Sequence, residues 1–354
     1  MKTLSDLKIT VGIMTYNRPD FLKEAVHSVL QQSFKNWELI ISNDYPKVVV
    51  TLDSLGIKGD PRIKIVNQAS NLGEVRNMNY LLEIAQGEWF VWLADDDLLH
   101  PEFLMLANKT ILNNLSINNQ EPNIVGFFSN YSSANCHDSV FPPHLKSRKC
   151  LCYSPSMFIM GYSSRKNPLI GCYGVMHAAT LRKAGGIPLL GNSFGPYGDT
   201  LIPVLLAEYG SLCWLDEPLI FLRTHSDSLS CKSAEFSAYT SAEVDFLENL
   251  KRVCSSKPVN IKPDKVIANM IRWFSYNEWA VLSREPSLSK CAVSKRFIKY
   301  QISVNLPRLS WNYRINHILF IFRFLGTRFL VGVYKRLHAA FESALSTRPE
   351  SRPR

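Results

Sequence analysis

The chain lacks the short signatures of several common chemistries. None of its eight cysteines forms a C-x-x-C pair, so the usual zinc-ligand spacing is absent along the sequence. Cys150 and Cys152, in CLC, stand too close for that spacing. Cys136, Cys172, Cys213, Cys231, Cys254 and Cys291 are scattered, and 354 residues is too long for a small disulfide scaffold. Mostly free thiols in a reducing compartment are therefore expected. No run of 18 or more residues is free of charge, which argues against an ordinary membrane-spanning helix. The opening MKTLSDLKIT carries charges and no apolar h-region follows, so no secretory signal is expected there. TYNRPD, after the first apolar run, holds no glycine. The G-x-G-x-x-G fingerprint of a nicotinamide oxidoreductase is thus missing, as is the Gly- and Lys-rich phosphate loop of a nucleotidyltransferase. No recognisable nucleic-acid-binding module occurs.

What is present is an ordinary globular composition, 46% hydrophobic and 20% charged, with a formal net charge of +10. Disorder is not the default, and the length suggests one large domain with additions, or two domains. Much of the positive excess is C-terminal. Arg308, Arg314, Arg323, Arg328, Lys335, Arg336, Arg348, Arg352 and Arg354 face only Glu342 and Glu350. Such an end can meet anionic lipid, nucleic acid or an acidic partner.

The first hundred residues alternate strand and helix. KITVGIM (8–14), WELIIS (37–42), RIKIV (62–66) and EWFVWL (88–93) read as buried strands. Phe21, Leu22, Ala25, Val26, Val29 and Leu30 recur at helical spacing, and Leu72 to Ala85 reads as a second helix stopped by Gly87. This alternation predicts an α/β fold with a mostly parallel sheet and helices on both faces. Ligands of such sheets sit outside the carboxyl ends of the strands, where TYN, SND and ADDD all fall. Residues 121 to 230 read as long loops around short strands, with WLDEPLIFLRTH (214–225) as a late strand pair. Residues 232–300 read as helical.

Several constellations carry chemistry. Asp95, Asp96 and Asp97 crowd three carboxylates together, which costs energy unless a cation compensates. A divalent ion does so, and Mg²⁺ commonly takes one or two carboxylates plus substrate phosphates. The bland alternative is an acidic turn capping the helix opened by Pro101. Asn71, Gly73, Arg76 and Asn77 precede the cluster, and an Arg there can grip a phosphate or orient an aspartate. Asp44 can accept hydrogen bonds from a base or ribose, or simply close an Asx turn before Pro46. Asp199 stands where an apolar helix begins, as N-cap or as a general base facing an acceptor hydroxyl. Arg223 and His225 lie two apart on one side of an extended segment, suited to a ligand or phosphate role.

In this order the residues resemble family 2 glycosyltransferases. VGIMTYNRPDFLKEAVHSVLQQSFKNWELIISND is similar to that family's first β-α-β unit. NLGEVRNMNYLLEIAQGEWFVWLADDDLLHPEFL is similar to its second phrase, running into the metal-binding D-x-D motif. AGGIP and YGDTLIPVLLAEYG resemble its acceptor region. The resemblance covers roughly residues 8–230. Two departures stand out: Ala94 where the family often has the first Asp, and Asn43-Asp44-Tyr45-Pro46 where D-D-G-S is common.

The resemblance implies a GT-A, Rossmann-like nucleotide-sugar-binding domain and an inverting, metal-dependent transfer of sugar from a nucleotide-diphosphate sugar to a hydroxyl. Asp199 would be the catalytic base. Thr15, Tyr16, Asn17, Arg18, Asp44, Arg76 and Asp95 would bind the donor nucleotide. Asp96, Asp97 and His225 would hold Mg²⁺ or Mn²⁺, with Asp96 favoured. The acceptor would be a saccharide or a lipid-linked saccharide, in polysaccharide, O-antigen or glycolipid assembly, with no nucleic acid involved. The contrasting reading is an inactive sugar-nucleotide-binding or membrane-associated interaction protein.

The expected organisation is a catalytic domain over 1–230 (donor half 1–110, acceptor half 111–230) and a helical extension over 231–305. A basic amphipathic segment over 306–345 and a tail over 346–354 follow. WNYRINHILFIFRFLGTRFLVGVYKRLHAAF (311–341) fits a helix lying in an anionic membrane interface, or one that packs its apolar stripe on protein. The expected location is the cytoplasm, or the inner face of the cytoplasmic membrane.

Overall fold

The computed structural model describes residues 7–117, 124–135, 141, 145, 150–191, 196–225, 235–285 and 287–325. It divides into two compact units, Met1–Ile261 and Lys262–Arg354.

In the first unit the chain runs β1 (Ile9–Thr15), α1 (Pro19–Leu30), β2 (Trp37–Asn43), β3 (Ile63–Asn67), α2 (Glu74–Ile84), β4 (Trp89–Ala94) and β5 (Leu98–Leu99). There follow α3 (Phe103–Ile117), β6 (Ile124–Asn135), β7 (Cys150–Tyr153), α4 (Pro155–Ser163), β8 (Val175–His177), α5 (Ala178–Lys183), α6 (Gly198–Leu206), β9 (Ser211–Thr224) and α7 (Phe236–Ser255). The strands form one sheet in the order β3-β2-β1-β4-β8-β6-β9-β5, with β7 also on β9. The long pairings, β1 with β2 and β4, β2 with β3 and β6 with β9, are parallel. The short ones made by β5, β7 and β8 are antiparallel.

β1 and β4 are buried on both faces, which is why they read as continuous apolar runs rather than alternating ones. Pro19 opens α1 at a position where its missing N–H costs nothing. Leu22, Ala25, Val26 and Val29 on its inner face are buried, the larger of them contributing about 1.5–3 kcal/mol each relative to exposure. In the register of the sheet Thr15 pairs Asn43, Asn43 pairs Asn67 and Met14 pairs Ala94. The carboxyl ends of β1 to β4 therefore lie abreast on one edge.

Two expectations are corrected. Residues 121–230 hold two long strands, β6 of 12 residues and β9 of 14, rather than short strands in loops. The stretch 214–225 is no strand pair: β9 passes straight through it. Asp216-Glu217-Pro218 reads as a turn, but the ladder absorbs it in a register shift between Ser129–Leu215 and Asn130–Pro218. A bulge accepts a proline that has no N–H to give, and the Asn130 amide donates to Asp216 at 3.0 Å.

The second unit is helical over its described residues, with α8 (Pro263–Ser283), α9 (Lys290–Tyr300), a π-helical turn at Gln301–Asn305 and α10 (Trp311–Leu325). Ile271, Phe274, Leu282, Phe297 and Ile321 form its core. Within it lies a buried polar quartet. Gln301 donates to Glu278 at 2.8 Å, Asn305 donates to Gln301 at 3.2 Å, and His317 Nε2 meets Gln301 Oε1 at 2.9 Å. The π turn is what swings Gln301 and Asn305 inward together. Residues 311–325 of the basic segment do form a helix, packed on α8 through aromatic contacts of Tyr276 with Phe320 and Phe324. Ile315 and Leu319 stay exposed. The remainder of the expected membrane segment and the tail, 326–354, lie outside the described residues. Among the described residues no helix is long and apolar enough to cross a membrane.

Candidate active site

The aspartates leave β4 at the same edge that carries the ends of β1 and β2. Asp95 turns back toward β1. It accepts from the Thr15 hydroxyl at 2.7 Å, the Tyr16 amide at 3.4 Å and Arg18 Nη1 at 3.1 Å. Burial, then the charge of Asp96, raises its pKa, while Thr15 and Arg18 oppose. Asp96 points the other way. Its Oδ2 meets Arg18 Nη1 at 2.7 Å and His225 Nε2 at 3.0 Å. Arg18 therefore bridges two adjacent carboxylates, which offsets the repulsion that placing them together creates.

Asp97 faces the interior and is 7% exposed. One oxygen accepts from the Arg223 amide at 2.9 Å and the other from the Tyr173 hydroxyl. Burial, reinforced by the neighbouring Asp96 charge, pushes its pKa up. Asp97 thus ties the aspartate turn to β9 and to the 171–173 turn.

β9 delivers the other side of the site. The Arg223 guanidinium is buried against the ring of Phe21, pairs with Glu24, and donates to the carbonyls of Asp95 and Asp96. It braces the loop rather than facing outward. His225, two residues on, stacks on Phe21 at 4.5 Å, and its Nδ1 is buried with no hydrogen-bond partner among the described residues.

Asp199 lies in the first turn of α6, after Tyr197, which takes a left-handed φ of 66°. Tyr197, not Asp199, is the N-cap residue and makes no side-chain cap; the Asp199 carboxyl accepts from its own backbone amide and that of Thr200 within the first turn. Burial raises its pKa, and the Thr200 backbone and hydroxyl oppose. Gly171 packs against it so closely that a Cβ there would lie 1.8 Å from the Asp199 carbonyl oxygen. Only glycine permits that approach.

Glu74, at the start of α2, is a site residue that sequence reasoning missed. Burial of the carboxyl, then the charges of Asp199 and Asp96, pushes its pKa up to about 7, with Arg18 opposing. The residue as a whole remains accessible, so solvent screens part of this effect. The same charges put Glu74 near both Asp96 and Asp199. Tyr173 and Glu24 were also missed, since GCYG and the helix position FLKEA carry no motif signal.

The structure does not gather every expected residue in one role. Asp44 is buried, and both its oxygens accept backbone amides, Leu72 at 2.7 Å and Gly73 at 2.9 Å. It shapes the loop that enters α2, where Gly73 takes a φ of 81°. Asn43, not Asp44, makes the Asx contact, accepting from the Tyr45 amide at 3.1 Å. Arg76 is exposed on α2. Asn17 has a left-handed φ of 56° and turns the chain from Tyr16 into Arg18. Tyr16 is 50% exposed and meets Tyr45 edge-to-face at 5.0 Å, an aromatic wall beside the strand ends.

Comparison with known proteins matches this geometry. Residues 10–116 fit the family model described as glycosyl transferase family 2. Protein CgeD of Bacillus subtilis (strain 168) is 34% identical over 104 residues, 27% of this chain and 24% of CgeD. WcaA of Escherichia coli (strain K12), provisionally named a colanic acid biosynthesis glycosyl transferase, is 34% identical over 104 residues, 28% of this chain and 37% of WcaA. The chain thus spans well under half the length of these relatives. The crystal structure of S. aureus TarS 1-349 superposes with a TM-score of 0.58 at 15% identity, covering 88% of this chain and 89% of TarS 1-349. At that identity the likeness is one of fold. From Thr10 on, the parallel strands β1 to β4 and the aspartate turn thus lie within residues 10–116, the segment that matches the glycosyl transferase family 2 model, and the chain has a fold of the GT-A type.

Proposed function

We propose that the protein is an inverting, metal-dependent glycosyltransferase that moves a sugar from a nucleotide-diphosphate sugar to a hydroxyl of a saccharide or lipid-linked saccharide. One observation carries the reading. Asp95 and Asp96 emerge at the carboxyl edge of the parallel strands, and Glu74 feels the charges of both Asp96 and the half-buried Asp199. On this reading a donor-binding turn and a candidate base face one cleft.

In this reading the nucleotide lies over the ends of β1 and β2, against Thr15, Tyr16, Asn17 and Arg18, with Asp95 holding Arg18 in place. Asp44 shapes the loop beneath it and Arg76 reaches in from α2. The Asp199 carboxylate takes the proton of the acceptor hydroxyl. The oxygen attacks the anomeric carbon from the face opposite the diphosphate, whose bond breaks as the new one forms. Arg18 and His225 offset the charge that develops on the leaving diphosphate. The raised pKa of Asp199 makes it a better base than an exposed aspartate.

Asp96 and His225 fit a hard divalent ion. Their ligand atoms lie 3.0 Å apart and the other His225 nitrogen is buried without a partner among the described residues. Mg²⁺ or Mn²⁺ needs few protein ligands when phosphates supply the rest. Asp97 would have to release Tyr173 or the Arg223 amide to join them. When bound, the ion would neutralise diphosphate charge. A role in polysaccharide or glycolipid assembly, at the inner face of the cytoplasmic membrane, agrees with the name of the colanic acid relative and with the basic, apolar composition of 306–345.

Calorimetric titration with UDP, GDP and dTDP and their sugar conjugates, in Mg²⁺, Mn²⁺ or EDTA, tests the reading. Metal-dependent binding of one nucleotide, weakened by about 10–100-fold in Asp96→Ala, is expected. No binding of any nucleotide under any of these conditions removes its foundation.

A further inference from the structure

Away from the cleft the fold assembles a cluster that sequence spacing conceals. Cys150 and Cys152 are two apart on β7, so their side chains leave the same face of the strand. Cys213 sits on β9 directly opposite Cys152 in the antiparallel register. The three sulfurs lie within 4.8 Å of one another, the one group of three His, Cys, Asp or Glu ligand atoms gathered so closely among the described residues. In the structure Cys152 and Cys213 are joined as a disulfide, with Cα atoms 3.9 Å apart. Cys150 remains a free thiol beside them.

We propose that Cys150, Cys152 and Cys213, once the bridge is reduced, form a three-thiolate site for a borderline-soft divalent ion of the Zn²⁺ type. Sulfurs bonded to one zinc at about 2.3 Å stand roughly 3.8 Å apart in a tetrahedron, so the Cys152 and Cys213 sulfurs, once the bridge is reduced, open to that spacing and the Cys150 sulfur, within 4.8 Å of both, closes to it by side-chain rotation. The short spacing of CLC is unsuitable within a turn. On an extended strand it places two ligands on one face, and the neighbouring strand supplies the third. Cys152 is exposed, Cys150 half-buried and Cys213 buried, which leaves the fourth position open to water on the Cys152 side. The Thr110 hydroxyl of α3 hydrogen-bonds Cys150, the kind of outer contact that orients a ligand.

The chemistry balances. A dithiol or phosphine reductant delivers two electrons, and with two protons the Cys152–Cys213 bond becomes two thiols. A dithiol leaves as its own disulfide; a phosphine leaves as its oxide, with oxygen from water. Binding one M²⁺ then releases three protons, one from each sulfur. The consequence is a clip. β7 leads into α4 and β9 runs on to Arg223 and His225, so an ion at Cys150, Cys152 and Cys213 would fix β7 to the strand that completes the aspartate site.

The test uses the full chain, reduced with a phosphine under argon, freed of reductant and titrated with Co²⁺. A sulfur-to-cobalt charge-transfer band in the near ultraviolet is expected, saturating at one ion per chain and bleached by Zn²⁺. It should vanish in Cys150→Ser and in Cys152→Ser, persist in Cys291→Ser and be absent from the oxidised chain. Circular dichroism confirms that each variant is folded, and the buried Cys213 is left untouched for that reason. A reduced chain with no sulfur band, or a band that survives both Cys150→Ser and Cys152→Ser, overturns the proposal. Carboxylate sites give no such band, so failure of the glycosyltransferase reading and failure of this one are separable.

Discussion

Both units bury polar groups, and they do so in opposite ways. In the first, Asp95, Asp96, Asp97, Glu74 and Asp199 concentrate negative charge around one opening, with Arg18, Arg223 and His225 set among them. In the second, Glu278, Gln301, Asn305 and His317 interlock out of reach of solvent, each less than 2% exposed. The first arrangement leaves carboxylates with raised pKa values, as groups that must act on a ligand do. The second turns its histidine the other way. Burial, with Arg272 adding to it, depresses His317 to about 4. On the glycosyltransferase reading, the first cluster is held ready for a charged ligand. The other is a buried hydrogen-bonded knot, of the kind that fixes helix register at some cost in stability.

The difference can be broken most sharply at Asp199. On the glycosyltransferase reading, Asp199→Asn removes the base but keeps the shape, and kcat should fall by about 10²–10⁴-fold with nucleotide affinity unchanged. Turnover within a few-fold of wild type would remove Asp199 from the reaction. The knot of the second unit answers to pH instead. His317 stays neutral when folded and charges when unfolded below about 6.5. Its contribution is thus fully present above that pH and is lost as pH falls from 6.5 toward 4. The shift corresponds to at most about 3 kcal/mol. Thermal melts across that window should show the loss in wild type and a shallower one in His317→Gln. Equal slopes would show that His317 does not govern it. Smaller again is the effect of Asp96→Ala on metal-dependent nucleotide binding, where a weakening of about 10–100-fold is expected. Calorimetry with and without EDTA reads it directly, and equal affinity in the mutant would move the ion elsewhere.

The parallel half of the sheet was legible because β1, β2 and β4 are buried on both faces and each helix shows one apolar stripe. Alternation allowed TYN, SND and ADDD to converge at the strand ends, and the register of β1 with β2 and β4 sets the ends of these strands abreast. What could not be read was which oxygen each carboxylate spends on its own fold. Asp44 spends both on the amides of Leu72 and Gly73, and Asp97 spends both on Tyr173 and Arg223. Those partners lie as far as 126 residues along the chain from Asp97. β6 and β9 were hidden for a related reason. Their serines, asparagines and Pro218 mimic loop composition, and only a parallel partner with bulges makes them strands. The cysteine trio was invisible because two residues of it follow one another in a strand and the third arrives from 61 residues beyond Cys152.

The finest test concerns Glu74, which separates a carboxyl held for function from one held for structure. It accompanies Asp96 and Asp199 without being bonded to the fold as Asp97 is, and its pKa of about 7 puts its charge change in the working range. A raised carboxyl pKa means that the folded chain holds more protons than the unfolded one between about 4.5 and 7. Glu74 therefore disfavours the folded state progressively as pH rises through that window. Exposure of the residue screens the penalty, so Glu74→Gln should raise the melting temperature only slightly at pH 8 and not at all at pH 4. The informative readout is activity. If Glu74 serves the acceptor side, Glu74→Gln should flatten the alkaline or acidic limb of kcat/KM near pH 7 while leaving nucleotide affinity within about two-fold. A profile unchanged near pH 7, with only the small gain in melting temperature, would place Glu74 with the structural carboxylates and leave Asp199 as the acceptor-side carboxylate of the cleft.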